Sequence, residues 1–412
     1  MYHERMLTDR LYRLFSVFPV VVVSGARQVG KSTFLSNTLG KKMETVVFDP
    51  VIDIENARMD PELFLNNRRP PVILDEIQYA PELVPAIKRR VDRDRSPGQY
   101  ILTGSQQWGV MRSISESLAG RAVFLDLDGF NLAEVTHEKH QDTWLDKWIE
   151  DPVEFLNTNS GHYLIKTTLY EQLWRGFLPE AQFIPLDTIP DFHAAYQRTY
   201  IERDARMFAD VSDWQLFGRF LRLMAALTAQ EINYSQVGRE LGLTPQTARR
   251  WLDILKATFQ WFELEPFSRN MIKKVSGKPK GYIADTGLAC AAQAISSPMA
   301  IGGHPLWGAL FETAAIAEIR KQCLLITPKP IMYHWRTYSG AEVDIIIEYS
   351  GRFYPIEVKA KSNPGRGDTS GISAFRKQYP DIPVEKGLVL APVERPIPIS
   401  ENDYAVPWDI KN

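Results

Sequence analysis

The stretch VVVVSGARQVGKSTFL, from Val20 to Leu35, places three patterns in succession. Its four valines follow Phe-Pro and are typical of a strand buried on both faces of a parallel sheet. The segment STFLSNTLG predicts a helix that ends at Gly40. Between them lies the pattern G-x-x-x-x-G-K-[ST], formed by Gly25, Gly30, Lys31 and Ser32. The strand and helix both lie where this pattern requires them, which argues against a chance match in a loop.

A glycine-rich loop between a strand and a helix is suited to binding phosphate. Successive backbone N–H groups of the loop face the phosphates, and the helix adds its positive end. Lys31 is expected to reach the β- and γ-phosphates, and Ser32 to ligate magnesium. We therefore predict that ATP and Mg²⁺ bind at the loop residues Gly25, Ala26, Arg27, Gln28, Val29, Gly30, Lys31, Ser32 and Thr33.

A second apolar strand, from Val72 to Leu74 in PPVILDEIQYAPEL, ends in the acids Asp75 and Glu76. In P-loop ATPases the first acid holds magnesium and the second polarises the attacking water, so both lie at a strand end beside the phosphates. Acids at the end of a strand are common at a solvated surface and by themselves indicate no function. Here they indicate a metal site because the chain also contains the phosphate-binding loop. The sequence predicts Asp75 as a metal ligand, and Glu76 and Lys31 as catalytic residues.

Two further catalytic groups are less sharply defined. In GQYILTGSQQW a third strand, from Tyr100, precedes Thr103 and Ser105, either of which could contact the γ-phosphate or the attacking water. We prefer Ser105, although a polar loop that merely caps the strand explains these residues equally well. Phosphoryl transfer also needs a cation, supplied in cis or by a neighbouring subunit. Arg121 is our candidate and Arg112 its competitor, and an ordinary surface charge is the alternative for both.

Length and composition indicate a multidomain globular protein. The 412 residues predict two to four domains, and 44% apolar with 24% charged residues is an ordinary globular composition. A net charge of −2 means that any contact with nucleic acid must come from local patches. Cys290 and Cys323 are too few for a disulfide framework and are expected to be reduced, buried thiols. The charged N-terminus and the lack of a long apolar run predict a cytoplasmic protein with no membrane contact.

Several stretches, in this order, resemble a family of bacterial and archaeal AAA-type ATPases that carry a C-terminal domain called DUF4143. They are GARQVGKST, VILDEIQ, ILTGSQQ, SESLAGRAVFLDLDGFNLAE, YIERDARMF and KPKGYIADTGLA. The resemblance implies an ATPase fold and a tail associated with DNA. One departure is LWRGFLPEA, where Arg175 replaces the first glycine of a Gly-Gly-aromatic-Pro-Glu segment, which puts a tight turn there in doubt.

The middle of the chain is predicted to be a helical lid. PVEFLNTNSGHYLIKTTLYEQLW shows short periodic runs, which we interpret as helices of the ATPase domain. In TYIERDARMF, Arg203, Asp204 and Arg206 could face a nucleotide or a subunit boundary. A solvated charged face is the simpler interpretation of such a cluster.

The segment NYSQVGRELGLTPQTARRWLDILKATF is typical of helix, tight turn, helix, with the turn at Gly242 and a second helix capped by Thr244. In a helix-turn-helix the second helix projects its first residues into the major groove. A basic loop between two strands follows it, as in a winged helix, although such domains also serve as protein-binding modules or ATPase lids. The predicted nucleic-acid contacts are Gln246, Thr247, Arg249, Arg250, Lys273, Lys274, Lys278 and Lys280.

The C-terminal part predicts a helix, LWGALFETAAIAEIRKQ, then a β-hairpin that turns at Ser350 and Gly351. An acid on the first strand followed by Glu-x-Lys on the second resembles the core of PD-(D/E)xK nucleases. In that family two acids, here Asp344 and Glu357, bind magnesium, and the lysine, here Lys359, positions the attacking water. Glu312 on the helix would complete the set. The alternative is an ordinary amphipathic hairpin, and a nuclease fold does not by itself imply cleavage.

Together these features predict an α/β protein: a P-loop AAA-type ATPase domain followed by a winged-helix domain and an α/β nuclease-like domain. The expected boundaries are an ATPase core at 1–135, a lid or linker at 136–212, the winged helix at 213–295 and the nuclease-like domain at 296–412. We expect a magnesium-dependent ATPase that acts on duplex or branched DNA as a homo-oligomer, with a ring as one form. The alternatives are an ATP-regulated switch that binds protein partners, and a metal-dependent endonuclease controlled by ATP.

Overall fold

The structure is a computed structural model, and it describes residues 2–40, 42–48, 54–104, 117–138, 142–158, 161–198, 213–269 and 277–411. Ser105, Arg112, Arg203, Asp204, Arg206, Lys273 and Lys274 lie outside these described residues. Within them, no helix combines the length and the apolar character needed to cross a bilayer.

The N-terminal part alternates helices and strands. Its elements are α1 (Thr8–Phe15), β1 (Val20–Ser24), α2 (Lys31–Thr38), β2 (Glu44–Val47), α3 (Ile54–Met59), α4 (Pro61–Asn66), β3 (Val72–Asp75), α5 (Leu83–Arg93), β4 (Tyr100–Gly104) and β5 (Ala122–Asp126). The strands form one parallel sheet in the order β2-β3-β4-β1-β5. The predicted strands at Val20, Val72 and Tyr100 are all present.

Both faces of this sheet are covered, which is why β1 consists of consecutive apolar residues. Val21 and Val23 belong to one buried cluster, together with Phe34 of α2. Val20 and Val22 belong to a second cluster on the opposite face, packed by residues of α4 and α5. Since all strands run in parallel, their carboxyl ends meet at one edge, and this edge carries the loop after β1 and the acids after β3.

Short helices and one short strand make up the middle segment. They are α6 (Leu132–Val135), α7 (Trp144–Glu150), α8 (Pro152–Asn157), β6 (Gly161–His162), α9 (Leu169–Arg175) and α10 (Ile189–Tyr196). β6 pairs with the last strand of the chain, so the middle segment is bound to the C-terminal part. The tight turn after α9 is present, and it uses Gly176, which has φ 79°. Arg175 is buried and donates to the carbonyl oxygens of Ala181 and Ile184, so it closes the turn rather than preventing it.

The C-terminal half contains a second, larger sheet. Its elements are α11 (Trp214–Ala226), β7 (Gln230–Glu231), α12 (Tyr234–Leu241), α13 (Pro245–Ala257), β8 (Trp261–Pro266), β9 (Lys280–Ile283), α14 (Thr286–Ala292), α15 (Pro298–Ile301), α16 (Trp307–Cys323), β10 (Ile331–Arg336), β11 (Glu342–Tyr349), β12 (Arg352–Val358), α17 (Ser370–Gln378), β13 (Gly387–Ala391), β14 (Ile397–Pro398), β15 (Asp403–Pro407) and β16 (Ile410–Lys411). Strands β7 to β15 form one sheet in the order β14-β15-β13-β12-β11-β10-β8-β9-β7.

This sheet crosses the position 295/296 at which the sequence suggests a domain boundary. β8 pairs in parallel with β10 through Tyr333 with Glu265 and His334 with Pro266. The predicted hairpin is present as β11 and β12, paired antiparallel around Ser350 and Gly351. The helix-turn-helix segment and the hairpin with the acids are therefore parts of one continuous structure rather than two separate sheets.

Candidate functional site

The loop between β1 and α2 has the backbone geometry that its glycines predict. A Cβ atom on Gly25 would lie 2.1 Å from the carbonyl oxygen of Leu127, so only glycine fits there. Gly30 has a left-handed backbone, with φ 87°, and caps α2. Lys31 is buried, and its Nζ donates to the carbonyl oxygens of Gly25 and Ala26 at 2.9 Å each. Ser32 and Thr33, at the start of α2, are exposed at the sheet edge.

Buried polar contacts fix the backbone of this loop. Arg5 donates to the carbonyl oxygen of Val29 at 2.7 Å and to that of Asp128 at 2.6 Å, and it pairs with Glu134 at 3.0 Å. The hydroxyl of Tyr196 on α10 donates to the carbonyl oxygen of Arg27 at 3.1 Å. The N-terminal segment and the middle segment thus both fix the loop. Sequence reasoning did not select Arg5, because no local pattern links it to a loop more than twenty residues away.

The acids after β3 lie at the same edge of the sheet. Asp75 is buried, and its carboxylate accepts a hydrogen bond from the hydroxyl of Thr103 at the end of β4. The same hydroxyl accepts from the backbone N–H of Glu76 at 2.9 Å. Glu76 has a left-handed backbone, φ 59°, and its carboxylate accepts from the side-chain amide of Gln78. Strained backbone of this kind at a strand end is often found at functional sites.

This arrangement suits a hard cation beside a polyphosphate. The exposed hydroxyl of Ser32 and the carboxylate of Asp75 are oxygen donors of the type that Mg²⁺ prefers. Thr103 orients both acids, and it is the residue of the third strand that the structure brings to them. Ser105, the preferred sequence candidate, lies outside the described residues.

Arg121 is the predicted transfer cation, acting either in cis or from a neighbouring subunit. It precedes β5, whose first residue, Ala122, is aligned with Val20 at the amino end of β1. The P-loop leaves from the other end of β1, so Arg121 lies at the opposite edge of the sheet. Its guanidinium pairs there with Asp92 of α5. The alternative in which Arg121 contacts the phosphates bound by its own chain is therefore wrong.

The predicted nucleic-acid residues divide into two groups. Gln246, Arg249 and Arg250 are exposed in the first turns of α13, while Thr247 is half-buried and donates its backbone N–H to the capping Thr244. Lys278 is also exposed. Lys280, two residues further on, is buried, so its prediction as an exposed contact of a basic hairpin is wrong.

Lys280 instead belongs to a buried cluster of charges with the four nuclease-like residues. Its Nζ lies 2.6 Å from Oε1 of Glu312 and 2.9 Å from Oδ1 of Asp344. Nζ of Lys359 lies 2.7 Å from Oε2 of Glu357 and 3.5 Å from Oδ2 of Asp344. The structure thus brings together Glu312, Asp344, Glu357 and Lys359, as the sequence predicts, and adds Lys280 from β9.

The electrostatics of the cluster follow from its burial. Burial and the neighbouring Asp344 raise the pKa of Glu312 to about 7 and that of Glu357 to about 9. Burial alone would raise the pKa of Asp344 too, but Lys280 and Lys359 outweigh it and hold that pKa well below its usual range. Burial disfavours the charged form of Lys280, yet the two carboxylates raise its pKa above the ordinary value. Asp344 is therefore the anion that both lysines neutralise.

A divalent metal does not fit these residues as they are arranged. The carboxylate oxygens that would face a metal already contact ammonium groups. Among the described ranges, no group of three or more histidine, cysteine, aspartate or glutamate side chains is arranged to hold a metal ion. The predicted metal sites at Asp344 and Glu357 thus find no support in this geometry.

The parallel sheet, the phosphate-binding loop and the acid pair define a P-loop ATPase. Three family profiles match successive parts of the chain: AAA domain at residues 17–136, domain of unknown function DUF8612 at 166–299, and domain of unknown function DUF4143 at 307–410. The chain thus carries an AAA domain in its N-terminal part and a DUF4143 domain in its C-terminal part. The helix-turn-helix segment lies in the DUF8612 match, ahead of DUF4143.

Two curated relatives are themselves uncharacterised proteins. They come from Mycobacterium tuberculosis and Mycobacterium bovis, and each is 29% identical over 407 residues, which is 98% of this chain and 84% of the relative. Among solved structures, a Walker-type ATPase of Pyrococcus abyssi covers 69% of this chain and 94% of its own, with 16% identity and a TM-score of 0.41. The Holliday junction branch migration motor RuvB of Thermotoga maritima covers 62% and 88%, with 14% identity and a TM-score of 0.31. Similarity at this level carries no information about substrate or partner.

Proposed function

We propose that the protein is a magnesium-dependent ATPase that binds DNA through its C-terminal half, and that the state of its nucleotide site controls this contact. ATP hydrolysis is the activity of the AAA domain that the chain carries. In this proposal Ser32 and Asp75 hold Mg²⁺, which neutralises phosphate charge, Lys31 contacts the phosphates, and Glu76 polarises the attacking water. Thr103 and Gln78 fix the two acids.

The observation that carries the DNA part of the proposal is the exposed start of α13. Thr244 caps this helix, and the first turns present Gln246, Arg249 and Arg250 to the surface. The guanidinium of Arg249 lies 5.9 Å from the ring centroid of Tyr234, on the helix before it. A helix that follows a tight turn and presents amide and guanidinium groups from its N-terminal end suits a DNA groove. The antiparallel pair of β8 and β9 follows this helix in the chain, which is the order of helix and wing in a winged helix.

One helix gives a physical route between the two halves. Near its end, α16 contacts the segment that follows β5: Arg320 pairs with Asp128, and Lys321 donates to the carbonyl oxygen of Phe130 at 2.7 Å. Asp128 follows Leu127, whose carbonyl oxygen lies against Gly25 of the loop. A movement of the loop on nucleotide binding would therefore reach α16 through directly contacting residues.

We also propose that the protein acts as a homo-oligomer, with a ring as one form. Arg121 lies far from the phosphates of its own chain, so it can serve as the transfer cation only across a subunit boundary. Mixing Glu76→Gln subunits with Arg121→Ala subunits tests this. If the arginine acts in trans, mixed assemblies regain a fraction of ATP hydrolysis, because some sites combine an intact Glu76 with a neighbour's intact Arg121. Mixtures no more active than either variant alone would refute it.

The first experiment measures ATP hydrolysis with single-stranded, duplex and four-way-junction DNA, with Glu76→Gln as the blank. Stimulation several-fold by one form supports the proposal and identifies the preferred substrate. An unchanged rate with every form, together with no binding of DNA at low salt, contradicts it and favours a switch that binds protein partners.

The second experiment measures DNA affinity by fluorescence anisotropy at increasing salt. Replacing Arg249 and Arg250 by alanine should weaken duplex binding and reduce the slope of log K against log salt by about 1.8, if each arginine neutralises one phosphate. The matched control replaces Arg366 and Lys377, which are exposed in the DUF4143 part, by alanine. Equal slopes for the two double variants would exclude α13 as the contact.

A further inference from the structure

We propose that Lys280 is the resident cation of the nuclease-like centre, and that this centre is a metal-free clamp between β9 and the strands of the DUF4143 part. The proposal concerns a site remote from the ATPase loop, and it stands or falls independently of DNA binding. It rests on the position of one ammonium group between the carboxylates that the fold would use for a metal.

Nζ of Lys280 lies between two carboxylates. Its distances to Glu312 and Asp344 are those of direct, charge-assisted hydrogen bonds. Asp344 and Lys280 are buried, and Glu312 is partly exposed, with 14% of its side chain accessible. A Mg²⁺ ion would need oxygen ligands at about 2.0–2.1 Å in the same small volume. The ammonium and the metal therefore exclude each other.

Three carboxylate oxygens of the cluster also have partners other than Lys280. Oδ2 of Asp344 accepts the backbone N–H of Val358 at 2.9 Å, and Oε1 of Glu312 accepts the hydroxyl of Tyr282 at 2.8 Å. Lys359 occupies Oε2 of Glu357. A buried charge is tolerated when it is paired and hydrogen-bonded, and this cluster satisfies that condition without a metal. A metal would have to displace Lys280 and leave its charge buried.

Lys280 belongs to a different region of the chain from the carboxylates with which it pairs. Lys280 and Tyr282 are on β9, within the DUF8612 match, while Glu312 and Asp344 lie in the DUF4143 match. Among the described residues, the strands of these two regions are aligned at two residue pairs, between β8 and β10. The ion pairs of Lys280 strengthen this junction, as do the hydrogen bonds of Thr228 with Thr313 and of His334 with the carbonyl oxygen of Lys278. The neighbouring Gly281 leaves room for the ring of Trp261 on β8, because a Cβ atom there would lie 2.1 Å from that ring.

One side of the cluster is accessible to ions from solvent. A cavity of about 340 Å³ opens beside it, and its lining includes Lys280, Glu312, His334, Arg336 and Glu342. Metal ions would thus have access to Glu312, so the pairing with Lys280, and not a closed surface, is what keeps them from binding there. This makes the proposal testable by metal binding alone.

The test counts Mn²⁺ bound by the full-length, nucleotide-free protein, using electron paramagnetic resonance of free Mn²⁺. The Asp75→Asn variant removes the carboxylate of the ATPase site and leaves the clamp intact. We expect this variant to bind no Mn²⁺ at sub-millimolar concentration. Binding of one ion that is lost on further replacement of Asp344 by asparagine would overturn the proposal.

A gain of binding provides the converse test. In the Asp75→Asn background, Lys280→Met should create a Mn²⁺ site at least tenfold tighter than any in the parent, and additional Asp344→Asn should abolish it. The control is Lys278→Met, which removes an exposed lysine from the same segment and should create no site. If Lys280→Met folds, as judged by ATP binding, and gains no Mn²⁺ site, the ammonium is not what excludes the metal and the proposal fails.

Discussion

Replacing Lys280 by methionine should loosen the junction between β9 and the DUF4143 strands by about 3 kcal/mol. Breaking a buried ion pair from one side typically costs about 3–5 kcal/mol, because the remaining charge is left uncompensated. The lower end applies here, since Asp344 keeps Lys359 and the N–H of Val358. Glu312 can take up a proton readily because burial and Asp344 already raise its pKa to about 7.

Hydrogen exchange is the appropriate assay, because a multidomain chain does not unfold in a single two-state step. A loss of about 3 kcal/mol corresponds to faster exchange on the order of 100-fold for amides that open with the junction. The peptides to follow cover β9 at 280–283 and β11 at 342–349. Lys278→Met loses the same charge from an exposed position and should change exchange very little. Equal exchange in the two variants would refute the reasoning.

The sign of the pH dependence gives a further check on the same variant. Without Lys280, the folded-state pKa of Glu312, which burial and Asp344 already raise to about 7, rises further above its unfolded value, and Asp344 loses one of the two lysines that hold its pKa low. A carboxyl with a raised folded-state pKa destabilises the fold increasingly as pH rises from the unfolded value through the folded one. The difference in exchange between Lys280→Met and the parent should therefore be larger at pH 8 than at pH 5.5. A difference that grows on acidification would show that the effect does not come from uncompensated carboxylates.

Three other predictions concern the ATPase domain. Gly25→Ala should reduce ATP binding at least 100-fold, measured by calorimetry, because the added Cβ collides with the carbonyl oxygen of Leu127; Gly218→Ala, where a Cβ meets no described atom within 4 Å, is the control. Glu76→Gln should bind ATP with parental affinity yet hydrolyse it at least 100-fold more slowly, and parental turnover would remove Glu76 from the mechanism. Arg320→Ala, which breaks the ion pair with the segment after β5, should leave basal ATP hydrolysis nearly unchanged and reduce its stimulation by DNA. Full stimulation in that variant would exclude α16 as the connection.

The ATPase loop could be predicted from sequence because its geometry is local. The loop, the strand before it and the helix after it are contiguous, and each glycine meets a requirement of its own turn. The acid pair after β3 is equally local, and the parallel sheet rule brings it to the same edge. Thr103 could be predicted as a candidate but not preferred over Ser105. Its contacts with Asp75 and Glu76 depend on the order of the strands, which no single stretch of sequence encodes.

Lys280 shows where such reasoning fails. Its spacing from Lys278 fits an exposed basic hairpin, since alternate residues of a strand share a face, and charge composition gives no sign that one of two lysines is buried. The deciding contact joins residues 64 positions apart and depends on β8 lying next to β10. Arg121 shows a related limit: its position directly before a strand places it at the amino end of the sheet, away from the loop, only once β5 is known to run parallel to β1.

The arrangement of α16 joins these separate sites into one structure. Glu312 and Arg320 lie eight residues apart on this helix, roughly 12 Å along its axis at 1.5 Å per residue. Glu312 contacts Lys280 of the clamp, and Arg320 contacts Asp128 behind the loop. A helix of 17 residues moves as a rigid body more readily than it bends, so a displacement at one end is transmitted to the other. A metal-free clamp is suited to holding one end of α16. Its strength does not depend on a bound ion, whereas the nucleotide site exchanges its Mg²⁺ together with the nucleotide.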